Sequence, residues 1–182
     1  MSKVVVIGGG AAGMFASIAA AGCGHQVVVY EKNEKLGKKL YITGKGRCNI
    51  TNACDMEGLF DAVRTNAKFL YSSFYGYTNQ QVIDFFERIG VPTKIERGDR
   101  VFPVSDHSSD VIRGLEREMD RLGVKVHLRT AVKKVVAKDG YFEKIILGDQ
   151  RQFMRMPVSL QQEGCLISQQ DQPEMDSGLQ KV

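Results

Sequence analysis

The chain has 182 residues, 43% hydrophobic and 25% charged, the mix of a soluble globular protein with room for one ordinary domain. A formal net charge of +4, with no Lys/Arg cluster set among aromatics, argues against a nucleic-acid partner. The four cysteines, Cys23, Cys48, Cys54 and Cys165, show neither a CxxC pair nor zinc spacing, so no metal site is expected and reduced thiols in a cytoplasmic protein are the default.

Val4 to Cys23 is almost wholly apolar or small, and Ala20-Ala21-Gly22-Cys23 mimics a lipoprotein cleavage box. Only Lys3 supplies a positive start, and Gly8, Gly9 and Gly10 interrupt the run, so neither a removable signal nor a membrane span is expected. Lys3 to Ile7 is a β-branched run, read as a fully buried parallel strand. Ala11 to Ala21 reads as a helix ended by Gly22 and Gly24, and Gln26 to Tyr30 as a second buried strand. Strand, helix and strand within about thirty residues make a βαβ unit.

Asn33 to Asn52 holds three glycines and five Lys or Arg with little apolar periodicity, which predicts a long loop. Leu59 to Tyr75 predicts one or two aromatic-rich helices. Thr78 predicts the N-cap of another, with Val82, Phe85, Phe86 and Ile89 on one face and Gly90 as its stop. A hairpin is expected over Thr93 to Phe102, an amphipathic helix over Ser109 to Leu122 closed by Gly123, and a strand over Val124 to Leu128. Ala131 to Ala137 and Tyr141 to Leu147 predict a hairpin across Asp139-Gly140. Residues 149–182 hold eight of the eleven glutamines and a net charge of −2, with no clear period. They are expected to form a poorly ordered tail. The expectation is therefore a Rossmann-like α/β domain over 1–148, with a mostly helical excursion from about 57 to 90, followed by that tail.

Gly8-Gly9-Gly10-Ala11-Ala12-Gly13 fits the GxGxxG pattern. Gly8 would permit the tight turn out of the strand, Gly10 the close approach of a pyrophosphate, and Gly13 the close packing of helix on strand. Ala11 and Ala12 lie where unpaired backbone N–H groups at a helix start would hold that anion. Glu31, eighteen residues after Gly13 at the end of the second strand, would accept a ribose hydroxyl and disfavour a 2′-phosphate. These residues point to a dinucleotide without separating FAD from NAD.

Glu31-Lys32, Leu36-Gly37-Lys38-Lys39 and Ile42-Thr43-Gly44-Lys45-Gly46-Arg47-Cys48-Asn49-Ile50-Thr51-Asn52 resemble the signature of the aminoacetone oxidase / 3-dehydro-bile-acid reductase family of FAD-dependent oxidoreductases. Arg100-Val101-Phe102-Pro103-Val104-Ser105-Asp106 resembles a second motif of that family. The resemblance covers about residues 3 to 148. It implies an FAD domain of the glutathione-reductase type carrying an inserted substrate domain, and hydride transfer between a small organic substrate and the flavin, with NAD(P)H an available reductant. It implies cofactor contacts from Lys32, Lys38, Lys39, Gly44, Gly46, Arg47 and Asn49, and a backbone contact near Val132 toward adenine. An ordinary strand role for Val132 stays open.

Elementary chemistry agrees. Lys38, Lys39 and Arg47 carry positive charge suited to a diphosphate, Gly44 and Gly46 allow close backbone approach, and Asn49 offers both donor and acceptor. Cys48 beside Arg47 reads as packing ahead of redox chemistry, because no second cysteine is spaced to pair with it. No catalytic acid or base is assigned. Family members are about twice this length, so an N-terminal part of such an enzyme, truncated or frame-shifted, is expected; a natural short form is the alternative. The competing functional class is a non-catalytic dinucleotide-binding module that needs a partner chain.

Overall fold

The computed structural model describes residues 2–138, 141–148 and 152–153. The chain divides into two compact units, Met1–Leu36 with Met119–Val182, and Gly37–Glu118.

In the first unit, β1 (Lys3–Ile7), helix α1 (Ala11–Gly22) and β2 (Gln26–Tyr30) form the expected βαβ unit. β1 and β2 pair in parallel from Lys3–Gln26 to Ile7–Tyr30. β2 is flanked on its other side by β6 (Lys125–His127), also parallel, giving the order β1-β2-β6. The β-branched residues that suit a pleated buried surface fill β2, where Val27, Val29 and Tyr30 are buried. The expectation of a fully buried β1 is corrected. Val6 is buried, Val4 and Val5 are half-buried and Ile7 is exposed. Among the described residues β1 has a neighbour on one side only, so its free edge leaves these side chains less covered.

α1 buries Gly13, Met14, Ser17, Ile18 and Ala21, a stripe at helical spacing. Ser17 at its centre satisfies its hydroxyl by donating to the Met14 carbonyl at 2.7 Å. An antiparallel sheet of β7 (Val132–Lys138), β8 (Tyr141–Leu147) and β9 (Gln152–Phe153) completes the unit, and Ile145 and Leu147 cluster with Tyr30. The turn residues Asp139 and Gly140 of the expected hairpin lie outside the described residues. β9 falls beyond residue 148, so strand pairing extends past the expected domain boundary; the rest of the glutamine-rich segment lies outside the described residues.

The second unit contains α2 (Lys38–Ile42), a 3-10 turn at Thr43–Gly46, β3 (Thr51–Asn52), α3 (Met56–Asp61), a 3-10 turn at Ala67–Leu70, α4 (Tyr71–Gly76), α5 (Asn79–Arg88), β4 (Thr93–Glu96), β5 (Arg100–Pro103) and most of α6 (Ser108–Arg121). The expected loop over 33–52 is corrected, because 38–46 coil into two short helical pieces and 51–52 pair with β5. The antiparallel order is β3-β5-β4. The hairpin and α5 stand where the sequence places them. Thr78 caps α5 in a full capping box with Gln81, and Phe85 and Phe86 fill the buried face. The helical excursion expected over 57–90 lies inside this larger mixed unit.

Candidate dinucleotide site

β1 ends in a turn whose geometry follows from its glycines. Gly8 sits at φ +95°, a conformation closed to most side chains, and donates its N–H to the Tyr30 carbonyl at 2.8 Å. That bond ties the turn to the end of β2. A Cβ on Gly13 would overlap the Gly8 carbonyl oxygen, so the absent side chain is what lets α1 lie on the turn. A Cβ on Gly10 would meet nothing within 4 Å. Gly10 therefore opens onto free space rather than protein, as a close-approach position requires.

α1 starts at Ala11 without a side-chain cap and without an acidic residue in its first turn. Ala11 and Ala12 are exposed. The orphan N–H groups and the positive end of the helix dipole are thus left to an external acceptor. This chemistry fits a diphosphate.

Glu31 is buried, and its carboxylate is already engaged. Oε2 accepts the Gly9 N–H at 2.5 Å. Oε1 accepts both the backbone N–H of Asn33 at 2.8 Å and its side-chain amide at 2.6 Å. Backbone pairing holds the segment in place, because Glu31 N–H donates to the His127 carbonyl at 2.9 Å and Thr130 N–H donates to the Glu31 carbonyl at 2.8 Å. Tyr30 and His127 stack at 5.1 Å beside it. Sequence reasoning passed over Gly9 and Asn33. A Cβ on Gly9 would collide with Leu36 and crowd Glu31, a constraint no local pattern announces.

Of the remaining expected residues in this unit, Lys32 is exposed. Val132 pairs with Leu147 at the start of β7 and packs half-buried on the Tyr30, Ile145 and Leu147 cluster.

In the second unit, Lys38 and Lys39 are exposed on α2, and Gly44 and Gly46 lie in the 3-10 turn. The turn is unusual in its backbone, with Lys45 at φ +54°, Gly46 at +88° and Cys48 at +60°. Arg47 lies inside this strained run and is firmly held. It reaches Glu96 at 2.5 Å and Asp106 at 2.5 Å, and its guanidinium lies 4.3 Å from the centre of the Phe102 ring. Lys94 adds a contact to Asp106 at 2.6 Å. Arg47 is driven further above its ordinary range, first by Glu96 and then by Asp106. The Glu96 carboxyl is held low by Arg47, and that of Asp106 by Lys94 and Arg47. The positive charge of Arg47 is thus matched within its own unit.

Asn49, with its amide oriented to satisfy its neighbours, donates to the carbonyls of Thr51 at 2.9 Å and Val101 at 3.1 Å. Cys48 is buried, and burial pushes its thiol pKa up, away from the thiolate that redox chemistry needs. A small cleft of about 230 Å³ lined by Gly90, Pro92, Ser105, Asp110, Arg113 and Arg117 contains none of the expected cofactor residues. Among the described residues no cluster of metal-ligating side chains occurs, and no helix is long and apolar enough to cross a membrane.

The HI0933-like protein Rossmann domain matches residues 2–160. The chain belongs to that family. The chain is 38% identical over 144 residues to the 3-dehydro-bile acid delta(4,6)-reductase of Clostridium scindens, covering 76% of this chain and 34% of that protein. It is 31% identical over 135 residues to the ribosomal RNA dihydrouridine synthase of Escherichia coli, covering 74% of this chain and 33% of the relative. The chain thus spans about a third of the length of these relatives. The expected resemblance to the bile-acid reductase is borne out. Among solved structures, the 3-ketosteroid-delta4-(5alpha)-dehydrogenase of Rhodococcus jostii superposes with a TM-score of 0.52 at 18% identity, over 83% of this chain and 43% of that one, a likeness of fold. The Rossmann-like α/β class expected from the sequence is the one observed.

Proposed function

We propose that the chain supplies the FAD-binding part of an FAD-dependent oxidoreductase that passes a hydride between a small organic substrate and the flavin. The observation that carries the proposal is the joined set of Gly8 turn, uncapped α1 start and buried Glu31, all tied to the same two strand ends. Bound FAD would supply the redox chemistry that protein side chains lack.

This chain's own residues bind and orient. The N–H groups at Ala11, Ala12 and Gly13 face the diphosphate, Gly10 admits it, and Glu31 accepts from the adenosine ribose. A buried carboxylate at the ribose position disfavours a 2′-phosphate by like charge, which supports FAD or NAD over NADP at this turn. The resemblance supports FAD and also assigns cofactor contacts to Lys32, Lys38, Lys39, Gly44, Gly46, Arg47 and Asn49. Arg47 and Asn49 are held by protein partners, so their service to a cofactor would be to fix the backbone around Gly46. The reductase relative supports turnover in the reducing direction, and NAD(P)H as the electron source is what the resemblance implies.

A second reading is a dinucleotide-binding module that turns over only with a partner chain. The one-sided pairing of β1 among the described residues favours it, since a strand leading into a phosphate turn ordinarily lies inside its sheet. Purification followed by a visible flavin spectrum, FAD titration and NAD(P)H-dependent turnover tests both. Flavin binding with turnover supports the enzyme, flavin binding without turnover supports the module, and no binding of either FAD or NAD refutes both.

A further inference from the structure

The cleft of about 230 Å³ in the second unit lies between the end of α5, the end of β5 and the first three turns of α6. Its walls are set by the fold. A Cβ on Gly114 would overlap the Val91 side chain, so the missing side chain lets α6 press against residues 89–91. Gly90, at φ +77°, donates its N–H to the Glu87 carbonyl at 3.0 Å, and Val91 N–H donates to the Phe86 carbonyl at 2.9 Å. These bonds end α5 and turn the chain into the wall. Val104 N–H donates to the Pro92 carbonyl at 2.9 Å and holds the exit of β5 beside it.

Two chemistries meet in this cleft. Val91 and Pro103 are buried and Pro92 is exposed, which gives an apolar floor and side. Arg113 and Arg117 stand one turn apart on the same face of α6. Each is oriented by the protein: Arg113 by Asp110 one turn earlier, and Arg117 by the Ile89 carbonyl, to which its Nη2 donates at 3.3 Å. A carbonyl orients a guanidinium without neutralising it. The Asp110 carboxyl is held below its ordinary range by Ser105 and then by Arg113, so it is ionised at neutral pH. The lining thus sets two arginines against one aspartate, a surplus of a single positive charge.

That surplus matches a monoanion. The planar guanidinium fork matches a carboxylate, and the apolar floor matches a hydrocarbon body. An inorganic dianion would overcompensate the charge and leave the apolar side without a partner. We propose that the cleft binds a small organic monocarboxylate, its carboxylate against Arg113 and Arg117 and its apolar body against Val91, Pro92 and Pro103. None of the residues expected at the cofactor lines the cleft, so this site stands or falls apart from the dinucleotide reading.

Benzoate, a monocarboxylate with a compact apolar ring, is the probe. In the ¹⁵N-labelled protein it should give saturable shifts at the backbone amides of Val91, Ser105 and Gly114. Benzamide keeps the body without the charge, and inorganic phosphate keeps charge without the body. Each should bind at least roughly three- to tenfold more weakly than benzoate, the scale of one charge-assisted hydrogen bond near a surface. Arg113→Gln and Arg117→Gln replace exposed side chains, and each should weaken benzoate by a similar factor with the rest of the amide spectrum preserved. Should Arg117→Gln disturb the fold through its lost bond to Ile89, Arg113→Gln carries the test. Absence of saturable benzoate shifts at these amides overturns the proposal. So does benzamide or phosphate binding as tight as that of benzoate, or wild-type benzoate affinity in Arg113→Gln.

Discussion

Glu31 and Gly9, twenty-two residues apart, are joined by a 2.5 Å hydrogen bond from the Gly9 N–H to the buried carboxylate. The residue expected to greet the ribose therefore also shapes the turn expected to hold the diphosphate. Glu31→Ala should lower the melting temperature of the empty protein as well as abolish the proposed ribose contact. Stranding the buried Gly9 N–H alone costs about 1–3 kcal/mol. Thermal melts with and without FAD read both effects, and an empty-protein melting point equal to wild type would refute the structural half.

Thr78→Ala tests the second unit. The Thr78 hydroxyl accepts from Gln81 N–H at 3.2 Å while the Gln81 side chain accepts from Thr78 N–H at 2.8 Å, closing the start of α5. Loss of the cap should cost about 1 kcal/mol. Denaturant unfolding measures it, and a change indistinguishable from zero would mean that α5 holds its first turn without the box.

The Arg47 cluster predicts an acid response. Glu96 and Asp106 have carboxyl pKa values held below their ordinary range by Arg47 and Lys94. A carboxyl whose folded value lies below its unfolded one, about 4, stabilises the fold fully above the unfolded value. That stability is lost as pH falls through the folded value. Wild type should therefore lose stability on acidification below about pH 4 more steeply than the double variant Glu96→Gln/Asp106→Asn. Parallel melting-temperature profiles against pH would discount the cluster. High salt should shrink the difference, because these groups are part-exposed.

Cys48 and Cys23 should separate by reactivity. Cys23 is exposed, whereas Cys48 is buried with its thiol pKa raised by that burial. A brief pulse of alkylating agent on the native protein, followed by peptide mass spectrometry, should label Cys23 well before Cys48. Equal labelling would imply that the loop around Cys48 opens readily.

The parts of this molecule that were legible in sequence are those set by local chemistry. Two β-branched runs around a small-residue helix specify β1, α1 and β2, and Thr78 with Gln81 specifies the start of α5. Long-range bonds left no local mark. Arg47 finds Asp106 fifty-nine residues away and Glu96 forty-nine away, and nothing in the spacing of either acid announces it. The lysine- and glycine-rich stretch concealed α2 because its five residues bury no face to reveal a period. β3, two residues long, is shorter than any alternation can show. The partial exposure of β1 follows from what lies beside the strand and not from its own composition, which is as apolar as that of β2.

The sharpest test of the glycine turn is a contrast between two of its members. Gly13 is closed in by the Gly8 carbonyl and Val6, so any side chain there must push α1 away from the turn. Gly10 has φ −79°, an ordinary value for other residues, and nothing within 4 Å of where a Cβ would stand. Gly13→Val should therefore destabilise the empty protein, by at least the roughly 1–3 kcal/mol typical of overpacking, and lose FAD binding as a consequence. Gly10→Val should fold with a melting temperature close to that of wild type, because its side chain fills space that the protein leaves open. It should nevertheless lose the FAD-induced rise in melting temperature, since that space is where the diphosphate is proposed to approach. Differential scanning calorimetry of both variants over a range of FAD concentrations distinguishes the two mechanisms. A well-folded Gly10→Val that is stabilised by FAD as strongly as wild type would remove the diphosphate from this turn, whatever Gly13→Val does.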